Sequence, residues 1–180
     1  MFGIVKFIVL LCSMKNILFI SALLISSILF GQDTLTQDGK FNTEFETGFG
    51  VKVPMTFNVS GINLEKIKSS PEFKVWEEQT FSNPKNADYI EKNKNKTHIE
   101  MFLMSELTMS SFFTKFKLKN GNSYTPINGT SSLVYVPKDG GINITFNFQA
   151  QNGYGNMIYS TSITTVKLVD GKIDYETFVY

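Results

Sequence analysis

The chain has 180 residues, 17 of them basic and 16 acidic, for a formal net charge of +1. Every basic residue is lysine, so the planar five-donor fork that grips phosphates and carboxylates bidentately is missing, and lysine replaces it only as a point charge. This near-neutral, arginine-free composition disfavours nucleic-acid partners, and one histidine with one cysteine cannot furnish a zinc site of ordinary ligand count without several carboxylates.

At the N-terminus, Phe2–Leu11 is an apolar run interrupted by Lys6, and Ile17–Phe30 is a second run without charge. Lys15, the second run and Gly31 have the order of a secretory signal, with cleavage expected after Gly31. Met14 heads a complete signal by itself, which makes it an alternative start. The run is short for a bilayer-spanning helix, which needs about 20 apolar residues. Cys12 follows Leu11, too large a neighbour for a lipidated bacterial cysteine, so a lipoprotein or anchored form is the less favoured reading. The expected location is exported, periplasmic or secreted, with membrane contact only through the signal segment.

The processed chain, residues 32–180, is cysteine-free and carries 15 lysines against 16 carboxylates. Export without disulfides fits a bacterial envelope protein that relies on its core. Lysine in place of arginine, with abundant Asn, Ile and Phe, has the look of an AT-rich genome. The sequons at Asn58, Asn95, Asn128 and Asn143 are then read as composition. About 149 residues make one domain large enough for a core without metal or disulfide support.

From Phe41 to Val59 every odd position is apolar or threonine, the period-2 signature of strands with one buried face. Nineteen residues exceed one strand, so a hairpin or bend is expected at Gly48-Phe49-Gly50, with Pro54 at an edge or bulge. Helix punctuation follows: Asn63 ahead of Leu64 and Ile67, then Ser70-Pro71-Glu72 as cap, first-turn proline and first-turn acid. Phe73 and Trp76 keep helical spacing, and Asn83-Pro84 ends that helix and starts another through Ile90. The Lys92–Lys96 stretch reads as a hydrophilic loop.

Ile99–Met109 fits either period and is assigned here to a strand, as is Phe112–Lys119 before Asn120-Gly121-Asn122. Leu133–Val136 precedes the turn at 137–141. Ile142, Ile144, Phe146 and Phe148 alternate up to Asn152-Gly153, and Met157–Val169 and Lys172–Tyr180 flank Asp170-Gly171, a two-residue hairpin signal. The expected fold is α+β, an antiparallel sheet of an N-terminal hairpin plus a C-terminal meander covered by two or three short helices. An all-β sandwich or barrel with a helical insertion is the alternative.

The chemical inventory is thin. His98 and Glu100, two apart on an assigned strand, would share a face as base and orienting acid, and they are the only catalytic candidates. Asp139-Gly140-Gly141 and Asp170-Gly171 lack the alternating acids of a calcium loop, and no metal or cofactor is expected. No phosphate-binding glycine loop or serine elbow occurs. Tyr154 and Tyr159, near Gly153 and Gly155, are candidates for an exposed stacking surface.

The segment Ile163-Thr-Thr-Val-Lys-Leu-Val-Asp-Gly-Lys-Ile-Asp-Tyr-Glu resembles the closing hairpin of the nuclear-transport-factor-2-like superfamily, which includes steroid-isomerase-like and polyketide-cyclase-like enzymes. The resemblance implies helices before a curved sheet that encloses an apolar pocket. It spans about 20 residues and carries over no catalytic residue, and the Phe41–Val59 strands precede the helices where that family starts with helix. Tyr180, preceded by Phe178, resembles the aromatic C-terminus of outer-membrane β-barrels, though Asp174 and Glu176 interrupt an outward apolar phase. The leading expectation is an exported, non-catalytic binding or interaction domain whose partner is a small molecule, a glycan or an envelope protein. A pocket domain that binds or transforms a small apolar molecule, and an outer-membrane-associated protein, are the alternatives.

Overall fold

A computed structural model describes residues 34–36, 39–47, 51–59, 61–136 and 141–180. The signal segment with Cys12 and Met14, the bend at 48–50 and the turn at 137–140 lie outside the described residues.

The period-2 segment forms β2 (Lys40–Glu46) and β3 (Lys52–Asn58), antiparallel from Lys40↔Asn58 to Glu46↔Lys52, with the short β1 (Thr34–Leu35) beside β2. Phe41, Phe45, Met55 and Phe57 are buried, as their shared phase requires. Pro54 sits where the far edge of β3 has no strand partner among the described residues, in which β3 meets β5 at Phe57↔Ser131 and Asn58↔Ser132. One residue pair earlier, the Asn128 side chain accepts from the Thr56 amide at 2.9 Å and continues that edge.

Four helices follow: α1 (Gly61–Ser69), α2 (Pro71–Phe81), α3 (Ala87–Lys92) and α4 (His98–Lys117). The Ser70 side chain accepts from the Phe73 amide at 3.2 Å and Pro71 occupies the first turn, as the sequence predicts. The assignment of Ile99–Met109 and Phe112–Lys119 to strands is overturned: Ile99–Met109 and Phe112–Lys117 belong to α4, a helix of 20 residues that Leu118 caps. Thr97 and Glu100 close a capping box at its start, and Ile99, Phe102, Leu103 and Leu107 form its buried stripe.

The chain returns as β4 (Thr125–Pro126), β5 (Ser131–Val136), β6 (Gly141–Gln151), β7 (Met157–Val169) and β8 (Lys172–Val179). These strands pair as an antiparallel meander, with β4 and β5 end to end along one edge of β6. The β7–β8 turn has Asp170 at φ 51° and Gly171 at φ 72°, the left-handed pair of the predicted two-residue hairpin. Gly141 answers a different need. A Cβ there would lie 2.0 Å from the Val166 carbonyl oxygen, so only glycine allows β6 to approach β7 at that point.

The sheet order is β1-β2-β3-β5-β6-β7-β8. The fold is therefore α+β with an open sheet, and the parallel β3–β5 contact makes that sheet mixed. The first and last strands of this order do not close on each other, unlike those of a barrel. Even-numbered residues of β6 and β7 and odd-numbered residues of β2, β3, β5 and β8 point toward the helices. The core divides along the sheet. Beneath β2, β3, β5 and β6 it is aromatic and aliphatic, with Phe45, Phe57 and Phe146 in mutual ring contact at 5.1–5.8 Å.

Candidate functional site

The candidate catalytic pair is not a pair. His98 opens α4, stacks on Phe81 with ring centroids 4.1 Å apart, and brings Nδ1 to 2.6 Å from Glu77 Oε1. Both partners are exposed, so the contact fastens the end of α2 to the start of α4 at the surface. Glu100 turns elsewhere. Its Oε2 accepts from the Thr97 amide and hydroxyl, each at 2.8 Å, and its Oε1 accepts from the Leu35 amide at 3.2 Å. Burial alone would raise its pKa, but these hydrogen bonds, with the Lys96 charge, hold it below the ordinary value. Glu100 thus ties β1 to the cap of α4. The expected common strand face fails because the capping box winds both residues into a helix turn.

Two other constellations stand out. The first is a polar seam between α4 and β7–β8. Glu106, Ser110 and Thr114 recur every four residues and so share one face of α4. Opposite them are Ser162 and Thr164 of β7 and Tyr175 and Thr177 of β8. Thr114 Oγ1 lies 2.8 Å from Ser162 Oγ, and Thr164 Oγ1 lies 2.9 Å from Thr177 Oγ1. Glu106 is fully buried and meets the Tyr175 hydroxyl, but neither carboxyl oxygen receives a hydrogen bond of good geometry, and the Ser110 hydroxyl also lacks a partner. Burial pushes the Glu106 pKa up to about 8, with Tyr175 opposing, so the carboxyl is a neutral acid at pH 7. Tyr175 is raised well above its ordinary value by burial and by the neighbouring Glu106 charge. The buried Tyr124 hydroxyl is raised for the same first reason. Neutral acid, phenol and hydroxyl together can donate hydrogen bonds to an oxygen acceptor.

The second constellation is the sheet face away from the helices, which no described element covers. Odd positions of β6 and β7 and even positions of β8 point outward there. Tyr159 is 77 % exposed, Phe178 50 % and Tyr180 72 %, and Tyr154 in the adjoining turn is 92 % exposed. Register gathers the first three. Phe178 is opposite Ile163, and Tyr180 exchanges backbone hydrogen bonds with Thr161, two residues from Tyr159. Of the predicted stacking residues, Tyr159 therefore joins an aromatic patch, whereas Tyr154 stands at the tip of the β6–β7 turn, its amide donating to Asn152 Oδ1 at 2.9 Å. Phe178 and Tyr180 join by cross-strand register, which sequence spacing does not reveal. Glu106 and Tyr175 escaped notice too, the first inside a segment assigned to strand and the second inside an ordinary hairpin.

Among the described residues, no three His, Cys, Asp or Glu side chains gather as metal ligands. Compared with known proteins, the chain matches no protein-family model, no curated protein and no solved structure.

Proposed function

We propose that the protein is an exported, non-catalytic binding domain that engages an envelope partner through the bare face of its sheet. The observation that carries the reading is the aromatic patch Tyr159–Phe178–Tyr180 on a face that none of the described helices covers. Large exposed aromatics gathered on one surface mark interaction sites more often than single scattered ones do. The helices brace this face from behind. The reading is tested by expressing the full chain in a bacterium, recovering it as processed and measuring its binding to purified envelopes. A mass beginning at Gln32 supports export, and retention of residues 17–30 or an added lipid mass contradicts it. Tyr159→Ser and Tyr180→Ser should lower envelope binding, while Phe116→Ser, at an exposed position of α4, should not. Equal binding by all of these overturns the sheet-face reading.

A second reading is favoured by the seam. A neutral Glu106 beside Tyr175 and the unpaired Ser110 suits an interior site for a small molecule with an oxygen acceptor. In that case the recovered protein carries a small-molecule mass that Glu106→Leu loses and Tyr159→Ser keeps.

A further inference from the structure

The face that no described element covers repeats one device in three places. Asn42 and Thr56, Asn147 and Thr161, and Asn143 and Thr165 are each directly opposed across neighbouring strands. In each, the threonine hydroxyl donates to the asparagine carbonyl oxygen, at 2.9, 2.6 and 2.9 Å. In this arrangement each asparagine carbonyl faces a hydroxyl, and for Asn147 the Thr130 carbonyl, which can only accept, places the amide nitrogen on the opposite side. The two N–H donors of each amide then turn away from the pair, and the threonine oxygen keeps acceptor capacity beside them. In the central pair, Asn147 spends one donor on the Thr130 carbonyl at 2.9 Å. The result is a row of donor-next-to-acceptor sites held rigid by the sheet. A hydroxyl group fits such a site, since it accepts from the amide and donates to the threonine at once.

Charge narrows the partner further. The outward positions of β6 from Asn143 to Gln151, about 27 Å of strand, are all amide or hydroxyl side chains. Those of β7 from Met157 to Thr165 are likewise uncharged. Among the described residues, the nearest outward charges, Lys167 and Glu176, neutralise each other at 2.8 Å at one end of the strip. Among the described residues of this strip, an anionic ligand would find no cation and a cationic ligand no anion. At the other end stand Tyr159 and Tyr180, whose ring faces suit the apolar C–H face of a sugar ring.

Building on the sheet-face reading, we infer that the partner is a neutral glycan, lying across β6–β8 with its hydroxyls on the Asn143–Thr165 and Asn147–Thr161 pairs and a ring on the tyrosines. Three features of the surface meet in that one chemistry: paired hydroxyl-sized sites, absence of net charge and terminal aromatic platforms.

Envelope binding is measured after two separate treatments of the envelopes, proteolysis and periodate oxidation, which cleaves vicinal diols. The glycan reading expects binding to survive proteolysis and to fall at least tenfold after periodate. It also expects retardation of the protein in gels containing a neutral soluble β-glucan, xylan or galactomannan, unchanged at high salt. Tyr159→Ala and Asn147→Asp should each weaken binding about tenfold, one by removing a platform and the other by removing donors and adding charge. Binding abolished by proteolysis and unaffected by periodate overturns the glycan and leaves a protein partner at the same face. Retardation by alginate alone overturns it as well. Envelope binding indifferent to Tyr159 and Tyr180 instead sinks the sheet-face reading itself, so the two failures are separable.

Discussion

Glu106 of α4 and Tyr175 of β8 face each other inside the helix–sheet interface, an acid carboxyl against a phenol, and no cation among the described residues neutralises either. The acid must therefore keep its proton to stay buried. In the unfolded chain it titrates near 4.5, and in the folded one near 8. Below the unfolded value both states hold the proton and burial carries no ionisation cost. Between the two values the unfolded chain releases a proton that the folded chain keeps, so stability falls as pH rises through this window and levels off above about 8. The expected loss is a few kcal/mol. Urea midpoints across this window should decline for the wild type and stay flatter for Glu106→Gln. The difference between the two removes opposing contributions such as Glu100, whose lowered pKa favours folding as pH rises. Parallel curves would show that Glu106 is not buried as an acid.

The start of α4 gives a second expectation. Thr97 both accepts from the Glu100 amide and donates to the Glu100 carboxylate, and the same carboxylate reaches Leu35. Thr97→Ala should cost about 1 kcal/mol in chemical denaturation. Glu100→Ala should cost more, because it also releases β1 from the helix cap. Similar losses for the two would mean that the Leu35 bond contributes nothing.

That cap also shows what the sequence offers and withholds. Thr-x-x-Glu followed by an apolar run is a helix-start signature, and it stands in plain view at Thr97–Glu100. The period-2 match of Ile99, Met101 and Leu103 masked it, because short apolar runs satisfy both periods. Where local chemistry permits one answer, as at Asp170-Gly171 or Ser70-Pro71-Glu72, sequence and structure agree. The functional surfaces depend on contacts far apart in the chain. Tyr159 is legible as an exposed aromatic, but its association with Tyr180 needs the β7–β8 register. The protonation of Glu106 needs the rotation of α4 against β8, which no local pattern encodes.

His98 provides a test of a negative kind. Its ring covers Phe81 and its Nδ1 meets Glu77 at the surface. His98→Ala should lower stability by about 0.5–1 kcal/mol, the range of an exposed pair with a stacking contact. It should leave envelope binding unchanged. Loss of binding with stability intact would return His98 to the functional site.

Gly141 offers the sharpest structural test. Substitution by alanine places a methyl group against the Val166 carbonyl, a backbone atom held by the β6–β7 ladder that cannot swing aside. Either the two strands separate locally or the ladder breaks from Gly141↔Lys167 onward. The cost should be about 3 kcal/mol or more, at the upper end for a single substitution. Gly129→Ala makes the comparison. Gly129 has φ 78° with nothing within 4 Å of a new Cβ, so only backbone strain of about 1 kcal/mol opposes the change. Urea denaturation of both variants separates close approach from left-handed strain. If Gly141→Ala proves no worse than Gly129→Ala, the strands do not meet as closely as the register requires, and the Asn143–Thr165 pair two residues along loses its rigid support.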